Sequence, residues 1–353
     1  MLHLFDEFRE RLDSIMIKAF KKRILLWGYG YTGRFLEWYA DYYHSIKMDF
    51  IITEDWSKGL PYNFPLFRDS LFDFDYADVE DAVVWLAVLE DESVRKKLEK
   101  SGYIKGRTYY NFLEIIYGKD CVCSDRLTGD IFKRRKTGTR DVQFMEWLEY
   151  QYDCNFVSAI ESSEFQDGME GAHSYRVTTQ KEIFPILDKC HCIPGKDDAI
   201  FDFGCGKGGA MLTFLDYGFQ KVGGVEFETQ IYEELISNFR KLDIDLDKNK
   251  NLSCMHGDAA AVKTELDDYN WFYYFDPFQE SIFRKTIDNI CESLKRKPRK
   301  VHIININPKY HYVITGSGCF ELTNQFCVAM RQKVVDVFVT KKEYEIAGRK
   351  NAV

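Results

Sequence analysis

"FDFGCGKGGAML", residues 201–212, carries two overlapping glycine patterns. Gly204, Gly206 and Gly209 make G-x-G-x-x-G, whereas Gly204, Gly206 and Gly208 make the tighter G-x-G-x-G. Either suits a strand that turns sharply into a helix, because glycine accepts left-handed backbone and lets a ligand approach the amides. The apolar run before the turn also contains Asp202, which puts a carboxylate beside it. Spacing alone leaves the ligand open. A second stretch, "LLWGYGYTGRFL" at residues 25–36, repeats the strand, glycine turn and helix plan with Gly28, Gly30 and Gly33. Two α/β units are therefore expected.

The length agrees, since 353 residues exceed one ordinary core and suit two domains of roughly 100–200 residues each. With 45% hydrophobic and 29% charged residues, both should be globular. A formal net charge of −8 argues against a broad footprint for a polyanion, so nucleic acid is disfavoured. Local basic runs remain at residues 133–136 and 295–300; the second, just before a strongly apolar strand, reads as a solvated helix end. The first 23 residues alternate acidic, basic and apolar types at helical spacing, with no apolar signal core, and no run reaches the ~18 apolar residues of a membrane span. A cytoplasmic protein is expected, whose ten cysteines are reduced thiols. The pairs Cys121/Cys123 and Cys190/Cys192 lack the C-x-x-C spacing of common zinc sites, so no metal is expected.

Along the N-terminal part, Arg23 to Trp27 reads as a strand before the glycine turn. "MDFIITEDW" is a second strand, ending near Asp55, about where a dinucleotide fold places its ribose-binding acid. "AVVWLAVL" is a third, and "DESVRKKLEKSGY" a helix stopped at Gly102. This predicts an N-terminal α/β domain over residues 1–118, a polar connector over 119–150 and a second domain over 151–353. In the second domain the helix "TTQKEIFPILDKC" leads to the glycine turn. Strands follow at "KVGGVEFE", "LSCMHGD", "WFYYFDPF" and "KVHIININP", and the tail reads as a two-strand hairpin.

The neighbours of the turn narrow its ligand. A diphosphate is repelled by Asp202, whereas the amino group of S-adenosylmethionine is attracted to it. Glu226, ending the next strand, can accept two ribose hydroxyls. Asp258, followed by Ala259, can bind the amine and ring edge of adenine. Asp276, Pro277 and Phe278 end the fourth strand, where a transferred methyl group belongs. Consistency among four separated elements is a stronger signal than any one motif.

With these residues in order, the chain resembles the class I S-adenosylmethionine-dependent methyltransferases over about residues 170–325. More narrowly it is similar to a bacterial group with Y-x-x-T, D-x-G-x-G-K-G, G-V-E, [DN]-P-F, P-R, N-P and G-x-F segments. Here these are Tyr175 and Thr178, residues 202–208, residues 224–226, residues 276–278, Pro298 and Arg299, Asn307 and Pro308, and Gly318 with Phe320. The resemblance implies a seven-stranded sheet with an antiparallel last strand and S-adenosylmethionine held by Asp202, Gly204, Gly206, Gly208, Glu226, Asp258 and Ala259. Asp276 stands where the group more often has Asn, and the single proline speaks against nucleobase methylation. Asp276 and His311 are candidate bases, Tyr310 and Phe278 candidate positioning groups, and His173, Tyr175 and Thr178 candidate pocket residues. His302, inside an apolar strand, reads as packed.

The N-terminal turn resembles those of small Rossmann-like domains in bacterial glycan-biosynthesis proteins, matching over about 95 residues. That likeness implies a nucleotide or nucleotide-sugar near Gly28, Gly30, Gly33 and Asp55; the alternative is a tight turn with no ligand. The expected function is methyl transfer to a sugar or nucleotide-sugar intermediate of surface polysaccharide synthesis. The alternatives are a protein-lysine or small-molecule amine N-methyltransferase and a non-catalytic nucleotide-sensing module. Retention of Asp202, Glu226, Asp258 and Asp276 together argues against the last. Composition and motifs leave the oligomeric state open.

Overall fold

The computed structural model describes residues 3–53, 66–67, 79–88, 92–118, 143–167, 173–276, 278–328 and 333–345. The chain divides into two compact units, residues 4–150 and residues 151–353 with 1–3. Asp55, the thiols Cys121 and Cys123 and the basic run at 133–136 lie outside the described residues, as does Pro277.

In the first unit, α1 (Asp6–Lys18) leads to β1 (Arg23–Trp27), α2 (Tyr31–His44), β2 (Phe50–Ile52), β3 (Leu66–Phe67), β4 (Ala82–Leu86), α3 (Glu92–Lys100), β5 (Tyr109–Asn111) and α4 (Phe112–Tyr117). The strands form a parallel sheet in the order β3-β2-β1-β4-β5. Four consecutive buried residues in β1, Ile24 to Trp27, mark a strand covered on both faces. One face packs Leu25, Trp27, Val84 and Leu86 against Val94 and Leu98 of α3. The last residues of the stretch expected as a connector form the helix α5 (Gln143–Tyr152). Its Phe144 and Trp147 rings lie 4.8 and 5.8 Å from Phe8, so an aromatic cluster orders this stretch.

The glycine turn after β1 is shaped by close packing. A β-carbon on Gly33 would lie 1.9 Å from the Gly28 carbonyl oxygen, and Gly28 itself has φ +95°. Gly30 faces open space, with nothing within 4 Å of an added β-carbon. Two of the three glycines are thus explained by the fold alone.

The second unit runs α6 (Gln180–Lys189), β6 (Ala199–Phe203), α7 (Gly209–Tyr217), β7 (Lys221–Glu226), α8 (Thr229–Lys241), β8 (Leu252–His256), β9 (Trp271–Phe275), α9 (Glu280–Arg296), β10 (His302–Ile306), α10 (His311–Gly316), β11 (Phe320–Val328) and β12 (Lys333–Thr340). Its seven strands are ordered β11-β12-β10-β9-β6-β7-β8. β12 is antiparallel to both neighbours, and the remaining pairs are parallel. This is the α/β sheet with an antiparallel last strand that the sequence implied. The order reverses between β6 and β9, so the crevice beyond the carboxyl ends of β6, β7 and β9 is where such a sheet takes ligands. Arg299 helps fix the sheet from below, donating to the carbonyls of Leu266 and Tyr269 at 2.8 Å each.

Candidate functional site

The turn after β6 is built for close approach. Gly204, Gly206 and Gly208 have φ of +87°, +57° and +89°, conformations that disfavour a β-carbon, and Gly208 begins the first turn of α7. Gly209 lies inside that helix, so the tighter glycine spacing is the one with left-handed backbone. Backbone amides of Gly204 and Cys205 both donate to the Val225 carbonyl, at 3.0 and 3.1 Å, which pins the loop onto β7.

Two carboxylates meet at this loop. Asp202 is only 3% exposed, and no hydrogen bond or ion pair to its side chain occurs among the described residues. Burial pushes its carboxyl well above the usual range, and the neighbouring Glu226 pushes it further. Glu226 is also buried and raised by desolvation, although it accepts the Gly206 and Glu228 amides at 2.9 and 3.0 Å. An uncompensated buried carboxylate next to a second one is a costly arrangement in a free protein. It calls for a cation.

Asp258 follows β8, exposed, and caps the short helical turn Ala259–Ala261 by accepting the Ala260 amide at 2.8 Å. The strand register brings it near Glu226: His256 pairs with Glu226, and the Gly257 amide donates to the Glu226 carbonyl at 2.9 Å. Ala259 is buried beside the core. Asp202, the glycine turn, Glu226 and Asp258 therefore line adjacent strand ends.

Asp276 and Asn307 terminate the neighbouring strands β9 and β10, both with left-handed φ, +46° and +56°. Asp and Asn tolerate this conformation better than other side-chain-bearing residues. Asn307 Nδ2 donates to Asp276 Oδ2 at 2.6 Å, and Lys309 Nζ lies 2.8 Å from the same oxygen. His173 Nε2 stands 3.6 Å from Oδ1, with about half of its side chain exposed. Asp276 is thus anchored through Oδ2, with Oδ1 turned toward His173.

The other candidates separate. Phe278 is buried in the core near Tyr274 and Phe283. Tyr310 packs on Phe283 with ring centroids 6.1 Å apart, and His311 is exposed at the start of α10. None of the described hydrogen bonds joins Tyr310 or His311 to Asp276. Tyr175 lies under the loop: a β-carbon on Gly206 would fall 2.4 Å from its ring, and its hydroxyl donates to the Phe156 carbonyl at 2.7 Å. Thr178 is buried close by in sequence, just before α6.

Sequence reasoning missed the clasp that holds this end of the unit. Lys207, fully buried within the glycine motif, pairs with Glu234 of α8 and donates to the Ser158 carbonyl and hydroxyl at 3.0 and 2.9 Å. Glu228 accepts the amides of Gln166 and Asp167 at 2.7 and 3.2 Å, and Asp167 accepts the Thr229 amide at 2.6 Å. Residues 155–167 are thereby tied to the loop and to α8. The lysine inside the quoted motif was the one available signal. Lys309, following the N-P pair, was also missed.

No group of three or more metal-ligating side chains occurs among the described residues, and no described helix is long and apolar enough to cross a membrane. No protein-family model and no curated protein matches the chain. Among solved structures it is similar to a ribosomal protein L11 methylase from Lactobacillus delbrueckii, at 12% identity, covering 46% of this chain and 78% of that one, with a TM-score of 0.34. It is also similar to a TehB-like S-adenosylmethionine-dependent methyltransferase from Corynebacterium glutamicum (15% identity, 44% and 86% covered, TM-score 0.33). A third is a precorrin 8w decarboxylase from Methanobacterium thermoautotrophicum (18% identity, 45% and 89% covered, TM-score 0.33). At such scores the functional reading rests on the chain's own strand order and side chains.

Proposed function

We propose that the second unit is an S-adenosylmethionine-dependent methyltransferase. The observation that carries this reading is Asp202, a buried carboxylate with no hydrogen-bond or ion-pair partner among the described residues, at the mouth of a glycine turn beside Glu226. The residues fit the cofactor. Asp202 would take its amino group, the amides around Gly204, Gly206 and Gly208 would lie against it, Glu226 would accept the ribose hydroxyls, and Asp258 with Ala259 would meet the adenine. When bound, the cofactor supplies a sulfonium-activated methyl group. What remains for the protein is to hold the acceptor in line and remove its proton.

Asn307 and Lys309 both occupy Oδ2 of Asp276 and leave Oδ1 toward His173; with Lys309 already offsetting the carboxylate charge, a neutral hydroxyl acceptor is favoured over a second cation. His173, across the same carboxylate, is the group placed to take a hydroxyl proton. The sugar or nucleotide-sugar reading draws its support from the first unit, whose parallel sheet carries a glycine turn open at Gly30. There Gly28 and Gly33 would shape the turn and Gly30 would admit a phosphate.

Calorimetry with S-adenosylmethionine tests the main reading: binding is expected for the intact chain and a loss of about 30-fold or more for Asp202→Ala, the worth of a charge-assisted hydrogen bond. Equal binding by the variant would sink it. Thermal shift with NAD, UDP-sugars and CDP-sugars tests the first unit, where stabilisation by none favours the ligand-free turn.

A further inference from the structure

The sulfurs of Cys205 and Cys254 lie 3.3 Å apart, although both cysteines are free. Cys205 sits between Gly204 and Gly206 in the loop described above, whereas Cys254 belongs to β8. What brings them together is Gly224. It pairs with Cys254 in the β7–β8 register, and a β-carbon there would lie 2.7 Å from the Cys205 β-carbon and 2.9 Å from its sulfur. The bare position on β7 leaves a gap through which Cys205 reaches across to the next strand. A side chain at residue 224 would close it.

We infer that Cys205 and Cys254 form a peroxide-sensitive thiol pair whose disulfide disables the glycine loop as a ligand cradle. The second half of this inference rests on the cofactor reading above. Cys254 is partly exposed and Cys205 is 4% exposed, so Cys254 is the thiol a small oxidant reaches. Burial, the contact with Cys254 itself and, after these, the carboxylates of Glu226 and Asp202 hold the Cys205 thiol up, and its low exposure leaves it the resolving partner.

The step balances with hydrogen peroxide as oxidant. Cys254 gives up its proton and the resulting thiolate attacks one peroxide oxygen; the O–O bond breaks, a sulfenic acid forms, and the departing hydroxide takes up the proton Cys254 released, leaving as water. The Cys205 sulfur then attacks the Cys254 sulfur, the S–O bond breaks, and the departing hydroxide takes the Cys205 proton as a second water. Two thiols lose two electrons and two protons, and one peroxide becomes two waters. Closing the pair from 3.3 Å to a bond of about 2.05 Å draws Cys205 toward β8 and displaces the amides of its two glycine neighbours.

The test treats the full-length chain with hydrogen peroxide, blocks remaining thiols with N-ethylmaleimide and maps cross-linked peptides by mass spectrometry. S-adenosylmethionine binding is measured by calorimetry on the same samples. A Cys205–Cys254 peptide is expected, removed by dithiothreitol, with a Kd at least tenfold weaker after oxidation that returns on reduction. Cys254→Ser and Cys254→Ala should keep their binding through peroxide treatment. Absence of the linked peptide while other cysteines are oxidised overturns the pairing, and a linked protein with unchanged Kd overturns its effect on the loop. If the untreated protein does not bind the cofactor, the methyltransferase reading fails, whereas peptide mapping still decides the thiol pair.

Discussion

A buried carboxylate beside a second one is retained at the expense of stability, and Asp202, which has no partner among the described residues, makes that cost measurable. Removing its charge while keeping its shape should relieve the desolvation and the repulsion from Glu226. We therefore expect Asp202→Asn to melt higher than the wild type near neutral pH in the absence of ligand, yet to bind S-adenosylmethionine about 30- to 100-fold more weakly. Differential scanning fluorimetry and calorimetry on the same preparation check both halves; a variant that loses stability and binding together would make Asp202 structural. The sign of the pH dependence follows from the same residue. Its folded-state carboxyl is raised, and only the ionised form attracts a cation, so affinity should increase as pH rises through that raised value. Protons are released on binding below it, which appears as a dependence of the calorimetric enthalpy on the ionisation heat of the buffer.

At the scale of elements, the turn between β6 and α7 is held from two sides, and each can be loosened separately. Gly206 combines a φ of +57° with a Tyr175 ring 2.4 Å from where a β-carbon would stand. Gly206→Ala should therefore cost both the left-handed strain of about 1–2 kcal/mol and a displaced ring. Tyr175→Ala is itself destabilising, since it removes a buried ring, but in that background Gly206→Ala should cost only the strain, a coupling read from a double-mutant cycle of unfolding free energies. On the other side, Lys207 binds α8 and the segment near Ser158 together from a fully buried position. Lys207→Met should destabilise by about 3–5 kcal/mol, because Glu234 is left without its cation in partly buried surroundings. Chemical denaturation would measure it, and a loss under about 0.5 kcal/mol would place Lys207 among ordinary surface pairs. The turn itself was legible in the sequence because glycine spacing is a backbone property. The lysine's role was not, since its partners Ser158 and Glu234 lie far from it along the chain and no local periodicity encodes such a meeting.

For the molecule as a whole, alternating strand and helix patterns made the second sheet readable, including the antiparallel tail, together with β1, β2 and β4 of the first, because buried parallel strands are continuous apolar runs; the short β3 and β5 carry too few residues for such a run. The helix at 143–152 escaped that reading because its ordering comes from aromatic contacts with distant Phe8 rather than from a local signal. The candidate site was read from strand ends, where Asp202, Glu226, Asp258 and Asp276 fall; the packing of Tyr310 on Phe283 was not readable, because it depends on a contact between separate elements. His302 was read as packed, and its surroundings set how global stability responds to acid. Its ring stacks on Trp271 with centroids 3.9 Å apart, and burial with the nearby charge of Lys300 lowers its pKa from the ordinary 6.5 to about 4. Between those values the unfolded chain takes up a proton that the folded protein refuses, so this histidine makes stability fall as pH drops from about 6.5 toward 4 and leaves it flat above. The raised carboxyls of Asp202 and Glu226 work in the opposite direction, since the folded state binds their protons more tightly and stability falls as pH rises through their window. The two effects are separated by comparing wild type with His302→Phe, which keeps the stack and removes the titration. The variant should gain on the wild type by up to about 3 kcal/mol on going from pH 7 to pH 4. Urea unfolding at a series of pH values measures this difference. A difference between the two proteins that does not change with pH would mean that His302 takes its proton equally well in the folded and unfolded states.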